Sequence, residues 1–139
     1  MKGLVLTSSF RITLPDDIRE EIDGAVSSFW LDNNPLLLQV SSNVRQSGPQ
    51  VGALARLKDR MAAHPKRCWQ VWNQPAHSRK GVDQATAEHT ASDGALWVHT
   101  YLVWPHVAVY VTLCGPATLV RNKENWALCA IRSIRPTLH

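Results

Sequence analysis

Glu88 and His99 are the two residues whose types and placement could do chemistry together. A carboxylate beside an imidazole can take and return a proton as a general acid–base pair. Bringing them side by side needs a hairpin between them, and Asp93-Gly94 is the strongest short hairpin signal. Read as a two-residue turn, it pairs Ser92 with Ala95 and Glu88 with His99. The plainer account of that pair is a cross-strand polar contact of a few tenths to about 1 kcal/mol. No recognisable nucleophile or oxyanion donor accompanies it. Ser8 and Ser9 stand outside any GxSxG context, and neither a phosphate loop nor a dinucleotide glycine pattern occurs. No catalytic residue is therefore assigned, and no cofactor is expected.

The remaining chemistry-bearing residues have structural explanations. The three cysteines are odd in number and form no CxxC, which suggests reduced thiols in a cytosolic protein. Cys114 ends an apolar run and Cys129 lies in a helical pattern, so both are expected in the core. His64 and Cys68 are four apart, but Pro65 lies between them and no second ligand pair follows, so no metal site is expected. His89 reads as a satisfied core histidine, with a pH switch as the sharper alternative. Trp69, Trp72, Trp97 and Tyr101 could stack on bases, although core packing explains most of them.

Of 139 residues, 45% are apolar and 19% charged, which is the composition of one globular domain over 1–139. The net charge of +4 suits solubility. Nucleic-acid binding would need that charge gathered on one face. Arg56, Lys58, Arg60, Lys66 and Arg67 are only loosely grouped, with acids among them. The apolar run Gly3-Leu4-Val5-Leu6 is too short for a signal peptide or a membrane span, so a cytoplasmic location is expected.

The elements that must position these residues follow from periodicity. Ser9–Leu14 alternates as a strand. Pro15–Ile22 reads as a turn or short helix, Gly24–Leu31 as a strand and Leu36–Ser42 as another, the last two joined through the turn Asp32-Asn33-Asn34-Pro35. Gln50–His64 is the clearest helix, with a stripe of Val51, Leu54, Leu57 and Met61, and with Arg56 and Arg60 opposite. Cys68–Trp72 is a strand and Gln74–Val82 a polar loop. Residues 83–115 form a three-stranded meander, turning at Ser92-Asp93-Gly94 and at Trp104-Pro105-His106. A second helix spans Asn122–Arg132, with Trp126, Ala130 and Ile131 facing the sheet. The class is α+β: an antiparallel sheet of about six strands with two helices packed on it.

Alternation sorts the meander into two faces. Ala85, Ala87 and His89 join Leu96, Val98, Leu102 and Val109 on a core face. Glu88, Trp97, His99, Tyr101 and Tyr110 share the other, which is aromatic and polar together, as half-exposed contact surfaces are. The second hairpin register, pairing Tyr101 with Tyr110, is the less secure of the two, because Pro105 cannot adopt the positive φ of a type I′ turn.

Three stretches carry a family resemblance: Phe10-Arg11-Ile12-Thr13-Leu14-Pro15, the hairpin Trp97–Cys114, and Trp126–Pro136. With the order of elements they resemble the PsbP-like α/β/α sandwich, a group that includes DcrB-like bacterial proteins and a eukaryotic Ran-binding import factor. The resemblance implies a non-catalytic module that binds a protein partner, as an adaptor or chaperone for a secreted effector in the bacterial cytoplasm. A second copy of the chain is one candidate partner. A small enzyme or ligand-binding protein using Glu88 and His99 is the first alternative, and a nucleic-acid binder the second.

Overall fold

The computed structural model describes residues 2–5, 10–44, 50–72 and 81–137. Seven antiparallel strands form the main sheet, in the order β3-β4-β5-β9-β8-β7-β6. They are β3 Arg19–Asp23, β4 Val26–Trp30, β5 Leu37–Val44, β6 Gln70–Val71, β7 Asp83–Thr90, β8 Leu96–Val103 and β9 Val107–Gly115. A smaller sheet joins β1 Lys2–Val5, β2 Phe10–Leu14 and β10 Arg135–Pro136. The helices are α1 Ala53–Ala63, α2 Ala117–Val120 and α3 Trp126–Ser133. The α+β class therefore holds, with one more strand in the main sheet and a second sheet beside it.

One face of the main sheet is closed. Phe29, Leu38, Val98, Leu102, Val109 and Leu113 are buried there against Phe10, Ile12 and Leu14 of β2 and against Ala127, Leu128 and Ile131 of α3. Asn125 begins α3 by accepting a hydrogen bond from Leu128 N at 2.8 Å, a side-chain N-cap that satisfies an otherwise orphaned donor. Trp126, expected to face the sheet, is half-buried and donates its indole N–H to Asn34 Oδ1 at 3.3 Å.

Among the described residues the other face is covered by α1 and, beyond its end, by Trp69, whose ring lies 4.9 Å from His89 and 4.8 Å from His99. Ala53 and Leu57 pack against Ala85, Ala87, Tyr101, Val103 and Ala108, where small side chains admit a close approach. Asp83 seats the helix by accepting from Ala53 N at 2.8 Å. Half of the expected stripe holds: Leu57 and Met61 pack on the sheet, while Leu54 and Val51 stay 46% and 43% exposed, and Arg60 turns toward the sheet. The expected stripe ignored alanine, which supplies the contact here.

Two further expectations change. Pro15–Ile22 is not a short helix: Asp16 and Asp17 form a turn, closed by Ile18 N donating to Pro15 O at 3.2 Å, and the acidic run after it is strand β3, paired with β4. The strand expected over Cys68–Trp72 shortens to Gln70–Val71. The Gln74–Val82 loop lies mostly outside the described residues.

The decisive difference is one residue of register. Ala91 N donates to Ala95 O at 2.8 Å and Gly94 N to Ala91 O at 2.9 Å, so the loop has three residues, Ser92-Asp93-Gly94, and not two. Gly94 takes φ 88°, and Asp93 Oδ1 accepts from Ala95 N at 3.0 Å, the pattern of a type I turn followed by a left-handed residue. His99 consequently faces Ala87, and Glu88 faces Val98. A slip of one residue moves a whole strand's side chains to the other side of the sheet. The β8–β9 register, by contrast, is the expected one: Tyr101 faces Tyr110, and His99 faces Thr112.

Candidate functional site

Across the strands the side chains line up in rows. One row on the α1 side runs from Glu21 through Ser28, Gln39, Thr112 and His99 to Ala87; the next runs from Asp23 through Val26, Ser41, Tyr110 and Tyr101 to Ala85. The helix sits over the β7–β8 end of these rows. Their other end, over β4 and β5, has no covering element among the described residues, and Val26, Ser28, Trp30, Leu37, Gln39 and Ser41 are all at least partly exposed there.

Rings fill the boundary between covered and bare. Tyr101 and Tyr110 stack at 4.7 Å, and His99 stacks on Tyr110 at 6.1 Å. Arg60, in the last turn of α1, donates from Nε to Tyr101 Oη at 2.8 Å and lays its guanidinium 3.8 Å from the centroid of Tyr110. Tyr101 is thereby enclosed, at 8% exposure, and belongs to the helix contact. Of the expected contact residues, Trp97 and Tyr110 are half-buried and His99 is buried but lines the cavity described next.

His99 sits in a hydrogen-bonded chain. Its Nδ1 lies 2.6 Å from Tyr110 Oη and its Nε2 lies 3.0 Å from His89 Nδ1. One polarity satisfies both rings as neutral groups: the Tyr110 hydroxyl donates to Nδ1, and Nε2–H donates to His89. Burial, reinforced by His89 and by the Arg67 and Arg60 charges, lowers His99 from 6.5 to about 3. Burial first, then Arg67, also lowers His89. Burial raises Tyr110 to about 12, against the opposing pull of Arg60. At neutral pH these three linked rings are thus uncharged.

These rings floor a cavity of about 700 Å³, open to solvent between the end of α1 and the bare strands. That is within the usual range for a binding pocket. Its wall carries Arg60, His64, Lys66 and Arg67, and neither Asp nor Glu. Cys68, exposed, also lines it, and no cluster of three metal-ligating groups occurs among the described residues.

Glu88 is absent from this constellation, because the register places it on the closed face. Its carboxylate accepts from Trp72 Nε1 at 2.9 Å and from Arg121 at 3.2 and 2.7 Å, a satisfied structural ion pair. The Glu88–His99 acid–base pair is therefore corrected: the two side chains point to opposite sides of one sheet. His89, expected on the core face, moves the other way and joins the cavity floor. In the sequence Arg60, Lys66 and Arg67 read as loosely grouped charge. The signal that could have found them is the placement of all three at and just beyond the C-terminal end of the helix that crosses the sheet. Cys114 and Cys129, expected in the core, are half-buried.

The arrangement offers stacking surfaces, neutral hydrogen-bonding rings and fixed positive charge. No helix among the described residues is long and apolar enough to cross a membrane.

No family model and no curated protein matches the chain. Among solved structures, it is similar to a point mutant of the protein Mog1, with a TM-score of 0.58 and 10% identity, covering 96% of this chain and 94% of that one. It is also similar to a protein from Bacteroides thetaiotaomicron VPI-5482, with a TM-score of 0.57 and 13% identity over 97% of this chain. The chain spans 48% of that protein's length. At these identities the likeness is one of fold, and it supports the Mog1/PsbP-like arrangement.

Proposed function

We propose that this chain is a non-catalytic protein-binding module whose docking surface is the bare half of the α1 face, with a segment of the partner entering the cavity floored by Trp97, His99 and Tyr110. The observation that carries this reading is the half-covered sheet face. A seven-stranded sheet closed on one side by aliphatic packing presents, on the other, half-buried rings and hydrogen-bonding side chains. Mixed surfaces of this kind, with aromatic anchors inside a polar surround, are typical of recognition sites. The family resemblance supports the finer form, a cytoplasmic bacterial adaptor or chaperone for a secreted effector.

The test places a photoreactive benzoylphenylalanine at Trp97 in one variant and at Ile22 in another, within cells that express the chain. Ile22 is 62% exposed on the far edge strand and shares the face of Ser27 and Phe29. Discrete protein adducts from position 97 and none from position 22 are expected. Adducts from position 22 alone, or from neither, would overturn the reading.

A further inference from the structure

We propose that the partner segment seated in this cavity is acidic, with a carboxylate held among Arg60, Lys66 and Arg67 and an adjacent aromatic side chain lying against Trp97. The proposal rests on the protein-binding reading and names the chemistry of what binds.

The cavity's charge is unbalanced. The ion pairs Arg19–Asp32 and Arg121–Glu88 both lie outside the cavity lining. Arg60, Lys66 and Arg67 have no carboxylate partner among the described residues, and no acid lines the wall they share. The floor does not contribute compensating charge, because His99, His89 and Tyr110 are held neutral. Arg60 is also positioned in advance. Tyr101 takes its Nε–H and Tyr110 supports its plane, while its two terminal nitrogens have no acceptor among the described residues. A guanidinium fixed in this way meets a carboxylate with little ordering cost, and carboxylate is the anion whose two oxygens match its fork.

Trp97 sets the second requirement. Its indole stacks on His89 at 6.3 Å and on His99 at 6.4 Å, and the ring is half-buried at the cavity floor. A planar side chain beside the carboxylate can cover the remaining surface in an offset stack, an arrangement favoured among aromatic pairs.

A nucleic-acid strand would also offer rings and negative charge, but it needs a basic track several nucleotides long. Two other cations are already engaged. Arg56 is held by Gln50 Oε1 and Val51 O, and Arg121 is tied to Glu88 on the opposite face. A second copy would offer the exposed acids Glu20, Glu21 and Asp23 of its edge strand, although that strand carries no aromatic residue.

The experiment measures fluorescence anisotropy of short labelled peptides with the full chain: a Glu/Tyr peptide, its Gln/Tyr counterpart, and an oligothymidine of similar length. The account expects the Glu/Tyr peptide to bind at least about tenfold more tightly than the Gln/Tyr one, with affinity falling as salt rises. The double change Lys66→Glu with Arg67→Glu should remove that preference, while its melting temperature stays near that of the parent because both residues are exposed. Equal binding of the two peptides, no binding of either, or preference for the oligothymidine overturns the proposal. So does a dimer in sedimentation that dissolves on Glu21→Lys with Asp23→Lys. If position 97 still crosslinks a protein in any of those cases, only the acidic-segment inference fails. If that crosslink is also lost, the protein-binding reading fails with it.

Discussion

The two faces of the main sheet come from the same strands by the same alternation, yet they are finished differently. The closed face meets a second sheet and two helices with fully buried aliphatic and phenylalanine side chains. The α1 face meets one helix over alanines, and then gives way to rings whose polar tips are hydrogen-bonded. Aliphatic packing tolerates no water and specifies a fixed core. Tyr, Trp and His tolerate a half-wet boundary because one end is apolar and the other polar. The contrast separates stability, carried by the closed face, from recognition, carried by the bare half.

Substitutions on either face put that division to the test. Phe29, fully buried on the closed face, should cost about 3–5 kcal/mol as Phe29→Ala in urea unfolding; a loss below about 1 kcal/mol would remove the closed face as the main source of stability. Glu88→Ala leaves the Trp72 indole N–H without its acceptor and should cost about 1–3 kcal/mol. Partner crosslinking at position 97 should persist in that variant, and its disappearance would blur the two faces.

Next is acid. His99 is lowered below its ordinary value in the folded protein, so its contribution is fully present above about pH 6.5 and is lost as pH falls toward about 3. One such group gives a slope of at most about 1.4 kcal/mol per pH unit within that window. His99→Gln should flatten the stability profile there, and an unchanged profile would show that the ring titrates as freely in the folded state as in the unfolded one. Trp97→Ala should cost only about 1 kcal/mol of stability, since the ring is half-exposed, while abolishing peptide binding. Smallest of all, Asp32→Ala breaks an ion pair whose partners are 61% and 63% exposed, and should shift stability by a few tenths of a kcal/mol.

Much of this contrast was legible in the chain, and the part that was not has a specific cause. The β8–β9 register followed from two strongly patterned apolar strands, despite Pro105. The β7–β8 register did not, because β7 reads Asp-Gln-Ala-Thr-Ala-Glu-His-Thr: small or polar residues occupy both of its faces, so no hydrophobic set pins it. Both loop lengths use Asp and Gly, and the closing bonds Ala91 N–Ala95 O and Gly94 N–Ala91 O, with Asp93 accepting from Ala95 N, mark the longer one. That one residue decided whether His99 met Glu88 or Ala87. The acidic strand β3 was hidden for another reason, since its strand character comes from pairing with β4 and not from its own propensity. The cavity could not be read because it depends on where α1 ends on the sheet, which follows from the Ala53–Asp83 hydrogen bond that seats its first turn.

The tryptophans report on both faces in one experiment. Trp30 and Trp97 belong to the bare side, while Trp72 and Trp126 pack on the closed side. Their indole N–H signals can be recorded in nitrogen-15-labelled protein with a soluble relaxation agent, before and after adding the captured partner. Protection by the partner confined to Trp97 and Trp30 is the predicted result. Protection of Trp72 or Trp126 with Trp97 unchanged would place the partner on the closed face and contradict the account.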